Sequence, residues 1–328
     1  MNKGVRLERR HIQSAWPQVA PPTAGAPALQ LPHGLALPRI SIVTPNYNYG
    51  ALIERTMQSV LQQSYPDLEY VIIDDSSTDQ SVEIIQRHQS QLKYWTHRPN
   101  RGQYESVNEG FTHTTGEVMA WLDSDDVYLP WTLWCVGAIF AHFPEVHWLV
   151  GQSVVMQDGV IHRVRDLKPF PQALIRAGLF HGGPGGLGWI SQENMFWRRS
   201  LWNKAGPLRT SLRVGADYDM NIRFAQHAEL YVASTVLGGF NMRFGQNRST
   251  VEWSGYMQDI QKVLGEGAAA GPKSRVPKRV RLYQRVRRLR GVRGIVRHAL
   301  RLSRFQGPLL WWNFRTGAYD VRRVPYFR

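Results

Sequence analysis

From Arg39 to Leu122 the chain alternates short β-branched runs with stretches whose apolar residues recur every three or four positions. Arg39-Ile-Ser-Ile-Val-Thr44 predicts a strand, and Pro45-Asn-Tyr-Asn-Tyr-Gly50 supplies turn chemistry after it. A helix follows, with Leu52, Ile53, Met57, Val60 and Leu61 on one face. Leu68 to Asp74 predicts a second strand, closed by the polar turn Asp74-Asp-Ser-Ser-Thr-Asp79, and the next helix carries Val82, Ile84, Ile85 and His88. Lys93 to His97 is a third strand, Gln103 to Thr112 a third helix, and Glu117 to Leu122 a fourth strand, with a further helix opening near Pro130. Regular alternation of strand and helix predicts an α/β fold with a doubly wound, mostly parallel sheet flanked by helices.

Beyond Pro144 the pattern loosens. Val146 to Met156 and Val160 to Val164 predict a hairpin turning at Asp158-Gly159, and Pro171 to Leu179 a short helix. Gly182-Gly-Pro-Gly-Gly-Leu-Gly188 predicts a flexible loop, Trp189 to Trp197 extended chain, and Leu201 to Ala205 a brief helix stopped by Gly206-Pro207. Arg213 to Asp219 leads into a helical pattern that ends near His227.

The fourth strand ends in Leu122-Asp-Ser-Asp-Asp126, three carboxylates within four positions. Such groups repel unless a cation joins them, and all-oxygen ligation suits Mg²⁺ or Mn²⁺. The cluster reads equally well as a solvated acidic turn that caps the next helix. In open parallel sheets, ligands sit outside the carboxyl ends of the strands. Thr44, Asp74, Asp75, Asp123 and Asp125 all follow strands, so they converge on one crevice whose hydrogen-bond acceptors and cation suit a nucleotide sugar.

Other chemistries find less support. Gly183-Pro-Gly-Gly-Leu-Gly188 matches the dinucleotide spacing, but a helical segment precedes it and no helix opens at its last glycine. There is no Gly-Lys-Ser/Thr phosphate loop, and the histidines lack metal-ligand spacing. Ser191 and Ser200 have no nucleophile-elbow context. A single cysteine, Cys135, excludes disulfides and cysteine-based zinc sites, which fits a reducing compartment. The longest apolar stretch, Trp131 to Phe143, falls short of the about 20 residues that span a bilayer. Met1 to Pro38, rich in Pro, Ala and Gly, reads as a flexible tail rather than a secretory leader.

From Arg39 to Gln261 the sequence resembles the family 2 glycosyltransferases, through several blocks in order. Ser41-Ile-Val-Thr-Pro-Asn-Tyr-Asn48 and Val71-Ile-Ile-Asp-Asp-Ser-Ser-Thr-Asp79 are similar to the family's first two strand-loop blocks. Arg101-Gly-Gln-Tyr-Glu-Ser-Val-Asn-Glu-Gly110 is similar to its G-Q-x-x-A-x-N-x-G block, with Ser106 for Ala, and Leu122 to Asp126 to its D-x-D block. The resemblance implies a GT-A fold, inversion at the sugar carbon, and a nucleoside diphosphate sugar donor bound by Thr44, Asn46, Asp75, Arg101, Gln103, Asp123 and Asp125. It gives Asp75 the nucleobase edge, favouring UDP or dTDP, and Asp125 with Asp123 a divalent cation, Mn²⁺ or Mg²⁺. Ile190 to Trp202 resembles an acceptor-side strand, which implies a sugar pocket at Trp189, Gln192 and Glu193. Gly215-Ala-Asp-Tyr-Asp219 stands where the family carries its Glu-Asp pair, so Asp217 is implied as general base and Ala216 replaces the Glu. Residues two apart on a helix face different ways, so Asp219 is expected to cap or brace. Phe240 to Gln246 resembles a late block in which Arg243 stands where His is usual; its guanidinium suits a diphosphate or the sugar pocket.

The implied activity moves a sugar to a hydroxyl of a glycan or lipid-linked acceptor, in cell-surface polysaccharide synthesis. The rival is a non-catalytic carbohydrate-binding or scaffold protein, for which Ala216 is the only sequence support.

Charge changes the picture at the carboxyl end. Lys273 to Arg328 holds seventeen Lys or Arg against Asp320 alone, a local +16 in a chain of +15 that leaves the remainder at −1. Val280, Leu282, Val286, Leu289, Val292, Val296 and Leu300 recur at helical steps among arginines, a basic amphipathic pattern over residues 277–305. Such a helix suits an anionic membrane surface, with Trp311, Trp312, Phe314 and Tyr319 in the interfacial zone, or packing on the domain through its apolar stripe. Nucleic acid is not the expected partner. The expected organisation is a tail over 1–38, a GT-A domain over 39–265 and a basic helical extension over 266–328, in a cytoplasmic protein peripheral to the membrane's inner face.

Overall fold

The runs Ile40–Asn46, Leu68–Asp75 and Val118–Trp121 lie side by side as apolar strands covered on both faces, and the more polar Tyr94–Arg98 forms the half-buried edge. β1 (Ile40–Asn46) pairs in parallel with β2 (Leu68–Asp75), Ile40 opposite Leu68, and with β4 (Val118–Trp121), Val43 opposite Trp121. β3 (Tyr94–Arg98) pairs in parallel with β2, which sets Asp75 opposite Arg98. Helices α1 (Ile53–Leu61), α2 (Ser81–His88) and α3 (Gln103–Thr112) are the crossovers. On one face Ile40, Ile42 and Ile72 pack with Ile53, Met57 and Val60 of α1; on the other, Val43, Val71 and Ile73 pack with Val107 and Phe111 of α3. Fully burying such a side chain contributes about 1.5–3 kcal/mol.

The computed structural model describes residues 36–157, 159–243, 245–269, 278–280, 282, 298–313, 315–316 and 318–327. After β4 come β5 (Val127–Tyr128), α4 (Thr132–His142), β6 (Trp148–Gln157), β7 (Val160–Val164), α5 (Gln172–Arg176), β8 (Met195–Arg198), α6 (Arg199–Ala205) and α7 (Ala216–Phe224). They are followed by β9 (Tyr231–Asn241), α8 (Arg248–Val251), α9 (Trp253–Ala269), β10 (Gln306–Asn313) and β11 (Ala318–Pro325). The main sheet runs β11-β10-β9-β6-β8-β4-β1-β2-β3, with β5 on β9 and β7 on β6. It is mixed but mostly parallel: β8 is antiparallel to β4 and β6, and β11 to β10. No helix among the described residues is long and apolar enough to cross a membrane.

Three expectations change. Gly178, at a φ of +66°, closes the helix expected over 171–179 after five residues, Gln172–Arg176. Within Trp189 to Trp197 only Met195–Trp197 is strand; Gln192–Asn194 is a 3₁₀ turn. The expected helical extension ends instead in the β10–β11 hairpin, which joins the sheet through Leu309 and Leu310 opposite Val232 and Ala233 of β9. Tyr319, expected at a membrane interface, points inward, where its hydroxyl meets Cys135 Sγ at 3.1 Å and Thr235. Most of residues 277–305, the tail over 1–35, and Phe314 lie outside the described residues. The described parts of the basic segment pack on the domain: Val280, Leu302 and Phe305 are buried in the same core as α7.

Candidate active site

The carboxyl ends of β1, β2 and β4 point the same way and bring their loops together, but they hold different groups. Thr44 does not reach the crevice; it is buried, its hydroxyl 3.0 Å from the Tyr70 hydroxyl, because its strand position shares the face of Ile40 and Ile42. Asn46 ties the first two strand ends, its amide donating to Asp74 Oδ2 at 2.6 Å. Asp74 also accepts from the Ser77 amide at 3.0 Å and meets His97 Nδ1 at 2.7 Å, so it braces the turn. Asp75 is buried and engaged: it accepts from Arg98, from the Ser106 hydroxyl at 2.7 Å and from the Arg101 amide at 3.5 Å. Ser106, which replaces Ala in the expected block, is thus a bracing hydroxyl. Arg101 enters by its backbone; its side chain is exposed.

Asp123 and Asp125 stand at the centre. Gln103 donates to Asp123 Oδ1 at 2.7 Å and accepts from Arg248 at 2.8 Å, so one amide links the acidic loop to α8. Arg243 donates to Asp125 Oδ2 at 2.7 Å and to the Tyr49 hydroxyl at 2.9 Å, with its guanidinium 4.7 Å from the Tyr49 ring centre. Burial, reinforced by the Asp125 charge, pushes Asp123 up to about 7. Burial also raises Asp125, against the pull of Arg243. Asp126 is not part of the open site: it is buried, holds the Asn241 amide at 2.9 Å, and is raised well above the carboxylate range by burial.

Asp217 arrives from α7, in the first turn, where amides of the helix start favour a carboxylate. Burial nonetheless raises it from 3.8 to about 6, with Glu193 and Asp259 adding to the rise. Asp217 is near enough to Asp123 for its charge to raise that group too, and Tyr104 senses both. The Tyr104 hydroxyl accepts the Ala216 amide at 3.3 Å, so α3 braces the start of α7. Asp259 of α9 accepts three successive amides, Arg213 and Val214 at 2.8 Å and Gly215 at 3.0 Å, which fixes the chain entering α7. Asp219 is a brace, as expected, paired with Arg223 at 2.8 Å and Arg209 at 3.1 Å.

Of the residues expected to line a sugar pocket, Gln192 donates to the Trp121 carbonyl at 2.7 Å, and Glu193 is buried and accepts from Ser153. Trp189 is 5.0 Å from Tyr256, ring centre to ring centre. Sequence reasoning missed Tyr49, Tyr104, Arg248, Trp253, Tyr256 and Asp259. Tyr104 lies within a recognised block; the others enter by tertiary packing, and only the spacing Trp253-x-x-Tyr256, one face of a helix, hints at a pair.

A divalent cation fits this donor set. Asp123 and Asp125 offer hard oxygens, while no group of three or more acidic, His or Cys side chains among the described residues is arranged around one point. Two protein carboxylates completed by phosphate oxygens and water is how Mg²⁺ is usually held. Arg243 would then share Asp125 or turn to the phosphates.

Residues 41–178 match glycosyl transferase family 2. An uncharacterized glycosyltransferase of Nostoc sp. is 41% identical over 105 residues, 31% of this chain, so the match spans a third of that relative's length. A PGL/p-HBAD biosynthesis glycosyltransferase of Mycobacterium bovis is 29% identical over 194 residues, covering 58% of this chain and 70% of that protein. The crystal structure of residues 1–349 of S. aureus TarS in complex with UDP-GlcNAc superposes with a TM-score of 0.59 at 17% identity, over 77% of this chain and 75% of that one. That likeness is one of fold, and the shared fold is GT-A.

Proposed function

We propose, from the match of residues 41–178 to glycosyl transferase family 2, that the chain inverts the sugar carbon of a nucleoside diphosphate sugar, UDP or dTDP favoured, on transfer to an acceptor hydroxyl. The acceptor is a glycan, free or lipid-linked, of the cell surface. The observation that carries this reading is the start of α3, where Gln103 donates to Asp123 at 2.7 Å and its neighbour Tyr104 accepts the amide of Ala216 at 3.3 Å, so that one helix end holds the acidic loop beside the residue that precedes Asp217.

Asp217 takes the proton of the attacking hydroxyl as the new bond forms, and its value of about 6 suits a base at neutral pH. Arg243 supplies a planar guanidinium for diphosphate oxygens. Gln103 and Arg248 hold Asp123 in place. Asp123 and Asp125 would hold a divalent cation, Mn²⁺ or Mg²⁺, which would supply positive charge for the leaving diphosphate. Asp75, occupied by Arg98 and Ser106, meets a nucleobase only if one of these partners yields. The basic segment 277–305 adds contact with an anionic membrane, each surface cation contributing about 1 kcal/mol.

Incubation of the purified protein with a panel of nucleotide sugars and Mn²⁺ tests the reading: diphosphate release from at least one donor is expected. Absence of release from every donor, with and without oligosaccharide acceptors, would favour the scaffold alternative.

A further inference from the structure

Three aromatic rings from two distant segments meet beside Asp217. Trp189 lies 5.0 Å from Tyr256 at an interplanar angle of 35°, and Trp253 lies 5.6 Å from Tyr256 at 29°. The two indoles are 6.1 Å apart. Tyr256 is buried, and Asp259 three residues further along α9 accepts the amides of Arg213, Val214 and Gly215, which places the cluster against the chain that enters α7 and carries Asp217. Trp189 and Trp253 remain 37% and 38% exposed, whereas Trp121, Trp148 and Trp197 are sealed in the core. Two adjacent indoles left in water forgo burial that either would gain elsewhere.

The glycine-rich loop, which fits no nucleotide motif, is explained by this cluster. A Cβ at Gly182 would collide with Trp189 Cζ2, and one at Gly183 would come 2.6 Å from Met257 Sδ on α9. Side chains are absent from the loop where Trp189 and α9 come down on it. The loop is therefore the seat of the aromatic cluster, and α9 lies wholly outside the segment that matches the family.

We propose that Trp189, Trp253 and Tyr256 form a stacking platform for an uncharged acceptor sugar, so that the hydroxyl presented to Asp217 belongs to a pyranose ring. The inference rests on the glycosyltransferase reading and names its acceptor class. A sugar ring offers an apolar face of C–H groups to an aromatic plane while its hydroxyls stay wet or hydrogen-bonded, which suits half-exposed indoles. Asp217 and Glu193 bring carboxylates to this region, with Asp259 taken up by three amides, so an uncharged ring meets no like charge here.

Saturation-transfer NMR tests this on the full chain with UDP and Mn²⁺ present, using millimolar methyl β-glycosides of glucose, galactose, mannose and N-acetylglucosamine. Transfer to the ring C–H protons of at least one glycoside is expected. It should fall at least fivefold in Trp253→Ala and in Trp189→Ala, and return largely in Trp253→Phe. Trp131→Ala, at an exposed indole elsewhere on the surface, should leave it unchanged. Equal transfer in Trp253→Ala and Trp131→Ala overturns the platform. So does silence from all four glycosides while UDP still raises the protein's melting temperature, a result that leaves the donor reading standing. Transfer that persists in protein which UDP does not stabilise would instead overturn the donor reading and keep the platform.

Discussion

Replacing Asp217 by Asn should stabilise the protein while disabling it. The carboxylate sits partly buried, and its folded value of about 6 lies above the ordinary 3.8. A raised carboxyl favours the fold when protonated: the contribution is complete below about pH 4 and disappears as pH rises through about 6. Two units correspond to about 3 kcal/mol, an upper figure that solvent contact at the side chain reduces toward about 1–2 kcal/mol. Asn keeps an oxygen for the helix-start amides but never ionises. Urea unfolding should therefore find Asp217→Asn and the parent equally stable near pH 4, with the variant gaining about 1–3 kcal/mol by pH 8. Turnover should fall about 10²- to 10⁴-fold, the usual cost of removing a general base. A stability difference that does not change between pH 4 and pH 8 refutes the electrostatic argument, and an active variant refutes the role.

In the parent protein the same group predicts that kcat/KM rises with pH through about 6 and then levels, since only ionised Asp217 accepts a proton. A profile that falls across this window would contradict it. Arg243→Ala should weaken UDP binding by about tenfold or more, a charge-assisted hydrogen bond contributing about 1.5–3 kcal/mol, as read by calorimetry. Asp259→Ala leaves three amides without their acceptor and should cost about 2–3 kcal/mol of stability and lower kcat with it. Leu310→Ala, in β10, should destabilise by about 2–5 kcal/mol. A near-neutral result there would mean that the carboxyl-terminal hairpin is not part of the core.

How much of this was legible in the sequence depends on the range of the interactions. The β-α-β half was readable because β1, β2 and β4 are buried on both faces and the helices on one, so periodicity carried most of the signal. Mixed topology beyond β4 was not, because β8 and β9 are chosen by partners rather than by local pattern. Gly238 and Gly239 interrupt β9 in sequence, yet they are needed where the Glu193 carbonyl and Met156 Sδ crowd the strand. Among the site residues, Asp123, Asp125 and Gln103 meet because they follow the carboxyl ends of parallel strands, whereas Asp217 comes from the start of α7, which the strand pattern does not place. Thr44 fails for the reason that makes it a strand residue, its side chain taking the core face. Arg243 reaches Asp125 across 118 positions, a contact that only the folded chain provides. At the carboxyl end the arginines described charge alone, while Leu309 and Leu310, buried on opposite faces of β10, and the inward Tyr319 tie a hairpin to the sheet.

The central claim is that a donor held at Asp123 and Asp125 is opened from the side of Asp217. The most direct measurement follows, by proton NMR, the first sugar anomer released when the protein slowly hydrolyses an α-linked UDP-sugar in the presence of Mn²⁺. The account predicts that the β-anomer appears first, that EDTA stops its release, and that Asp217→Asn does not form it. Initial appearance of the α-anomer, or release unaffected by loss of Asp217, would contradict it.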